Sequence, residues 1–209
     1  MSSLSRQQLE GWLKTLTNIK GRILDIGGSQ NPIVKRLSNT ELYIDDYKIL
    51  DLETPHEVKV KPDIVCDMNK DETWVDGSGD IQGNNKGKII NIFLDYDIVF
   101  CLEVSEYWWN PLQALKNIYT FLKKGGILYI SFHFVYMQHA PKGTDFLRYT
   151  PDGAEKLLKE AGFEILEHKH RMAESELLQV YYSQDKMRGI KDGSVDHNII
   201  GSLIKCKKL

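Results

Sequence analysis

The stretch ILDIGGSQNP (residues 23–32) passes from apolar to sharply turning within a few residues. An apolar run that ends on an acid, adds two glycines and then a proline reads as a buried strand leading through a turn into a helix start. Backbone N–H groups at such a turn converge on one spot, and a helix N-terminus adds partial positive charge there. Gly27 and Gly28 allow close approach to the backbone because they carry no Cβ. Asp25 stands where a carboxylate accepts hydrogen bonds from a ligand amine or from loop amides, and Pro32 is placed to open a helix over PIVKRLS. The G-x-G-x-x-G fingerprint of dinucleotide sites is not met, since Ser29 and Asn31 occupy the alternate positions.

Outward from this stretch, further apolar runs of strand length follow: ELYID, DIVCD, YDIVFCLE and GGILYISF, then FEILEHKHRM and NIIGSLIKCKK near the C-terminus. Most are continuous rather than alternating, as in parallel strands buried on both faces. Helical patterns lie between several of them. SLSRQQLEGWLKTL has one apolar face, with Ser5 and Gln8 as a capping box, and predicts a helix over 5–19. NPLQALKNIYTFLKKGG predicts a helix opened by Asn110 and Pro111 and ended by Gly125. TPDGAEKLLKEAGF predicts one opened by Thr150 and Pro151 and ended by Gly162. Alternating β and α implies a mostly parallel sheet covered on both sides, and the two late strands imply an antiparallel hairpin at one edge. The polar, glycine-rich residues 69–87 read as a long surface loop, and KIINIFL after them has short helical spacing.

The bulk properties narrow the function classes. The chain has 209 residues, 42% hydrophobic and 27% charged, enough for one domain with a sizeable core. With a formal net charge of -2 and no long basic run, electrostatics gives no support for a nucleic-acid partner. The start MSSLSRQQLE lacks an apolar signal core and no run approaches a membrane span, so a cytoplasmic setting is expected. Cys66, Cys101 and Cys206 lie far apart and read as buried small hydrophobes. His168 and His170 share a strand face, but no further ligand is near in sequence, so no metal site is expected.

Acids follow four consecutive strands: Asp25, then Asp45 and Asp46, then Asp67, then Glu103. Asp45 falls about 20 residues after the first glycine, the spacing of a ribose-hydroxyl acceptor. A row of acids along one carboxyl edge suits a polar ligand lying across it.

These motifs resemble those of the class I S-adenosylmethionine-dependent methyltransferases over about residues 20–170. LDIGGSQNP is similar to that family's first motif, YID to its second, CDMN to its third, and YDIVFCLEVSEYWWNPLQALKNIYTFLKKGGILYIS to its long fourth-strand, helix and fifth-strand stretch. HAPKGTDFLRYTPDGAEKLLKEAGFEI resembles the D-x-x-R-x-T-P-x-G tail of a subset. The resemblance implies a single Rossmann-like domain over 1–209, doubly wound, with a mostly parallel seven-stranded sheet and an antiparallel C-terminal strand. It also implies S-adenosylmethionine as cofactor and a small-molecule or sugar-like methyl acceptor. Carried over by position, Asp25, Gly27, Gly28 and Ser29 hold the methionine end, and Asp45 or Asp46 the ribose. Asp67 and Met68 hold the adenine, and Cys101, Leu102 and Glu103 the methionyl side. His139 is the first candidate for a general base, with His133 second. Tyr107, Trp108, His133, Asp145 and Arg148 are candidates for acceptor contact, while Asp145 and Arg148 read equally as a structural ion pair. Ser29 in place of a glycine, and SEY with Tyr107 where a histidine often stands, depart from the family pattern. They leave open a cofactor-binding but catalytically silent partner protein and, behind it, a nicotinamide-dependent oxidoreductase.

Overall fold

The apolar runs pair into one large sheet because each has both faces to bury. In the computed structural model the described residues are 3–37, 41–55, 58–70, 73–75, 81–82, 89–91, 95–139, 141–173 and 198–209. Along the chain come α1 (Leu4–Leu13), β1 (Ile19–Ile26), β2 (Leu42–Asp51), β3 (Ile64–Val65), β4 (Thr73–Val75), β5 (Ile81–Gln82) and β6 (Ile89–Asn91). They are followed by β7 (Tyr96–Cys101), α2 (Pro111–Phe121), β8 (Leu122–His133), α3 (Pro151–Glu160), β9 (Phe163–Met172) and β10 (Ile199–Lys208). The large sheet has seven strands in the order β3-β2-β1-β7-β8-β10-β9. β3, β2, β1, β7 and β8 run parallel, and β10 is antiparallel to both neighbours. The last strand of the chain therefore slots between β8 and β9 and leaves β9 at the edge.

Neighbouring residues of β1 serve opposite faces. Ile19 and Ile23 pack with Leu9, Trp12 and Leu13 of α1, while Leu24 and Ile26 pack on the side of Leu115 and Ile118 of α2 and Leu158 of α3. The order also reverses direction at β1: the chain moves outward to β3, then returns to β7 on the other side. A crevice opens beyond the strand ends at such a switch point.

Several local expectations change. α1 begins at Leu4, and its cap is Ser3, whose Oγ accepts from the Arg6 N–H at 3.2 Å. Ser5 lies inside the helix, buried, and accepts from Arg171 at 2.7 Å. The helix expected over 32–38 is a single 3-10 turn, Ile33–Lys35. There the Ile33 N–H is taken by the Asp25 carboxylate at 2.7 Å, and few residues remain before β2. α2 ends at Phe121 because Leu122 is already extended; Gly125, at φ +78, falls within β8 and does not end the helix. α3 follows expectation, with Thr150 Oγ1 accepting from Gly153 at 3.1 Å and Gly162 at φ +99 beyond its end. The 69–87 stretch is not all loop: β4 pairs antiparallel with β5 and parallel with β6, so Ile89–Asn91, read as helical, is a strand. Residues 71–72, 76–80 and 83–87 of that stretch lie outside the described residues. Cys66, Cys101 and Cys206 are buried and form no disulfide. Among the described residues no helix is long and apolar enough to cross a membrane.

Candidate active site

The turn after β1 is built around Asp25. Its Oδ2 accepts from the Tyr47 hydroxyl at 2.5 Å and from the Ile33 N–H at 2.7 Å. Burial pushes its carboxyl up to about 6, against the lowering pull of those two hydrogen bonds. Of the two readings open for this acid, the structure shows the loop amide. Gly27 stands at φ +76, and a Cβ there would lie 2.4 Å from Val104 Cγ2, so no larger residue fits. Ser29 avoids positive φ, and the departure from glycine brings no backbone strain. It is fully buried; its N–H donates to Asp51 Oδ2 at 3.2 Å, and its carbonyl accepts from Lys59 and Val60.

The second acid of the row is not the one the spacing picked out. β2 runs on to Asp51, with Ile49 and Leu50 paired against Asp25 and Ile26. Asp45 is exposed at a register shift opposite Gly21 and Arg22, and Asp46 lies 3.9 Å from both Arg22 and Lys48. Neither reaches the carboxyl end of the sheet. Asp51 does, and the continuing YKILD was the available signal. Asp67 follows β3, its Oδ1 accepting from the Asn69 backbone and side-chain nitrogens at 3.1 and 3.0 Å. Asn69 in turn accepts from the Trp109 and Asn110 N–H groups, which ties the end of β3 to the start of α2.

Gly27, Asp51, Asp67, Met68 and Glu103 line one cavity of about 390 Å³ with Tyr107, Trp108 and Phe146. The cavity lies across the carboxyl ends of β1, β2, β3 and β7. Gln30, Leu52, Asn69, Val104 and Trp109 line it as well, and sequence reasoning named none of them for the cofactor. Cys101 and Leu102 do not; they are buried on opposite faces of the sheet. The side chains of strand residues alternate, so only Glu103, beyond the strand, is free to turn toward the crevice. It does so at φ +60.

Glu103 is held from below. Its N–H donates to Ser131 Oγ, which donates to its Oε1, both at 2.8 Å. Arg171, fully buried, donates to Oε1 at 2.9 Å and to Oε2 at 3.3 Å. Burial opposes the charge of Glu103, but Arg171 and the nearby His133 outweigh it and hold the carboxyl well below the usual range.

Neither candidate histidine lines the cavity. His133, at the end of β8, is 1% exposed, with Nε2 3.2 Å from Glu103 Oε2 and 3.5 Å from Glu106 Oε1. At the end of β8 it pairs with Gly201 of β10. His139 is half-buried and is not a lining residue; its ring lies against Tyr136 and Tyr107, at 5.0 and 5.9 Å between centroids. Burial and the neighbouring His133 lower its pKa. Sequence reasoning passed over Glu106, which is buried beside both histidines. Burial lifts its carboxyl to about 7, with His133 pulling it down and Glu103 adding to the rise.

Asp145 and Arg148 form the structural pair. Arg148 donates to both Asp145 oxygens, at 2.5 and 2.6 Å, and to the Met137 carbonyl, while Asp145 Oδ2 accepts from the His139 N–H at 2.7 Å. The carboxylate is engaged by both, and the pair links residues 137, 139, 145 and 148. His168 and His170 share a face as expected, but His168 contacts Glu155 and Ser202, at 2.8 and 2.9 Å.

Comparison with known proteins agrees with this architecture. A family model described as a methyltransferase domain matches residues 91–130, the stretch containing β7, α2 and most of β8. No curated protein matches the sequence. Among solved structures, an S-adenosylmethionine-dependent methyltransferase from Mesorhizobium loti is 12% identical, covering 99% of this chain and 100% of that one, with a TM-score of 0.57. Phosphoethanolamine N-methyltransferase 2 of Haemonchus contortus, in complex with S-adenosyl-L-methionine, is 16% identical, covering 97% of this chain and 52% of that one, with a TM-score of 0.53. The [4+2]-cyclase SpnF is 15% identical, covering 96% of this chain and 80% of that one, with a TM-score of 0.53. The fold is that of the class I S-adenosylmethionine-dependent methyltransferases.

Proposed function

We propose that this chain, as one domain over residues 1–209, transfers a methyl group from S-adenosylmethionine to a small-molecule acceptor. The observation that carries the reading is the alignment of Gly27, Asp51, Asp67 and Glu103 along one cavity at the switch point of the sheet. Its volume of about 390 Å³ lies within the range of small-ligand sites. The donor set suits an adenosine joined to an amino acid: carboxylates for hydroxyls and amines, a Cβ-free turn at Gly27, and the buried thioether of Met68 for a flat apolar ring.

In this reading Asp51 accepts from the ribose hydroxyls, Asp67 from the adenine amino group, and Gly27 with Glu103 flanks the methionyl end. Bound there, S-adenosylmethionine supplies an electrophilic methyl group on a positively charged sulfur that departs neutral. No acid is needed for that departure, so the work of the protein is to hold the acceptor lone pair in line, at about 3–3.5 Å. Tyr107, Trp108, Trp109 and Phe146 wall the cavity on the other side and are assigned the acceptor, which favours a partly apolar small molecule. His139 is not assigned as the base, because it does not line the cavity. Three buried cysteines in no disulfide suit a reducing compartment, and the cytoplasm is proposed.

Calorimetric titration with S-adenosylmethionine, S-adenosylhomocysteine and NAD tests the cofactor. Binding of the first two and not NAD is expected, and the reverse would replace the reading with an oxidoreductase. The same fold carries a [4+2]-cyclase, so turnover against an acceptor panel then separates an enzyme from a silent binder.

A further inference from the structure

Two carboxylates lie close together at the Glu103–Tyr107 wall of the cavity, and among the described residues only one of them has an arginine or lysine partner. Glu103 is matched by Arg171 and Ser131. Glu106 is 1% exposed, and neither of its oxygens has a hydrogen-bond partner among the described residues. Beside it His133, equally buried, has no well-formed hydrogen bond at either ring nitrogen among the described residues, its Nε2 standing 3.2 Å from Glu103 Oε2 and 3.5 Å from Glu106 Oε1. Groups of this kind left unpaired in the interior are costly unless something satisfies them.

We propose that Glu106, His133 and His139 form a binding site for one divalent transition-metal ion. One ligand atom from each residue lies within 4.8 Å of the other two, with His133 Nε2 and His139 Nε2 at 3.5 and 3.9 Å from Glu106 Oε1. Three atoms bonded to one ion at about 2.0–2.2 Å stand little closer together than this. Two imidazoles with one carboxylate select a first-row transition ion over magnesium or calcium, and three ligands leave positions for water or an oxygen ligand.

The ligands come from three elements that are tied together. Glu106 sits in the 3-10 turn Ser105–Tyr107, and Ser105 Oγ donates to the Ser131 carbonyl at 2.9 Å. His133 closes β8, and its carbonyl accepts from the Tyr149 N–H at 2.7 Å. The loop bearing His139 is fastened by the Asp145–Arg148 pair, and the Phe146 and Leu147 N–H groups donate to the Glu106 carbonyl. A three-point site held this way needs little rearrangement to close. The inference stands apart from the methyl-transfer reading.

The test uses the full chain after treatment with a chelator. Co²⁺ is titrated by visible absorption and Zn²⁺ by equilibrium dialysis with metal analysis. One ion of each per chain is expected. E106Q and H139A, each verified as folded by circular dichroism, are expected to weaken Co²⁺ binding by at least about tenfold, while H168A leaves it unchanged. E106Q keeps the shape of the buried group, and His139 is half-exposed, so both variants retain the fold. Failure of the wild-type chain to bind either ion stoichiometrically would overturn the proposal. So would unchanged affinity in either variant, or a site that takes Mg²⁺ alone.

Discussion

Gly28 and Asp25 occupy one volume: a Cβ on Gly28 would stand 2.4 Å from Asp25 Oδ2, the oxygen that already accepts from Tyr47 and Ile33. The turn after β1 is compact because its acid folds back over its own glycine. The carboxylate cannot swing aside without giving up both donors.

The first prediction follows from that contact. G28A is expected to destabilise the protein by about 1–3 kcal/mol, the usual cost of overpacking a tight site. G11A, on the exposed face of α1 with open space around its Cβ, is expected to stabilise by about 0.5–1 kcal/mol. Urea denaturation of both variants checks the opposite signs.

A second concerns pH. The carboxyl of Asp25 is raised in the folded chain to about 6 from 3.8. Between those values the native state keeps a proton that the unfolded chain has lost, so this group makes stability fall as pH rises and level off above about 6. The full effect is on the order of 3 kcal/mol. D25N retains an oxygen for Tyr47 and Ile33 but does not titrate. The gap in unfolding free energy between D25N and wild type should widen in favour of the variant from pH 4 to pH 6.

A third separates the two acids of β2. D51A is expected to weaken S-adenosylmethionine binding by about tenfold or more, as loss of hydrogen bonds to a charged acceptor does. D45A, exposed and away from the strand end, should leave affinity unchanged. Isothermal titration decides between them, and the opposite ranking would return the ribose to Asp45.

A fourth addresses Arg171, which is fully buried against Glu103. R171M leaves the partly buried Glu103 carboxylate without its cation and is expected to cost about 3 kcal/mol. E103Q/R171M, which removes both charges, should recover part of that loss. Denaturant midpoints of the single and double variants measure the difference.

Much of this molecule was legible in residue order alone. Each of the seven strands of the large sheet overlaps an apolar run read from the sequence, and those at its centre, such as YDIVFC of β7, are continuously apolar because both of their faces are buried. The glycine turn, the α3 caps at Thr150 and Gly162, and Asp67 and Glu103 at their strand ends are likewise local features, set by neighbours a few residues away. What only the tertiary structure decided is where distant segments meet. DDYK looks like the end of a strand, yet β2 continues because Ile49 and Leu50 pair with Asp25 and Ile26 of β1, and so the acid delivered to the cavity is Asp51. The same holds for Arg171 under Glu103, for His133 beside Glu103 and Glu106, and for Glu106 between two histidines. Local periodicity records which face a residue prefers; register and strand order, which depend on partners far along the chain, determine what that face meets.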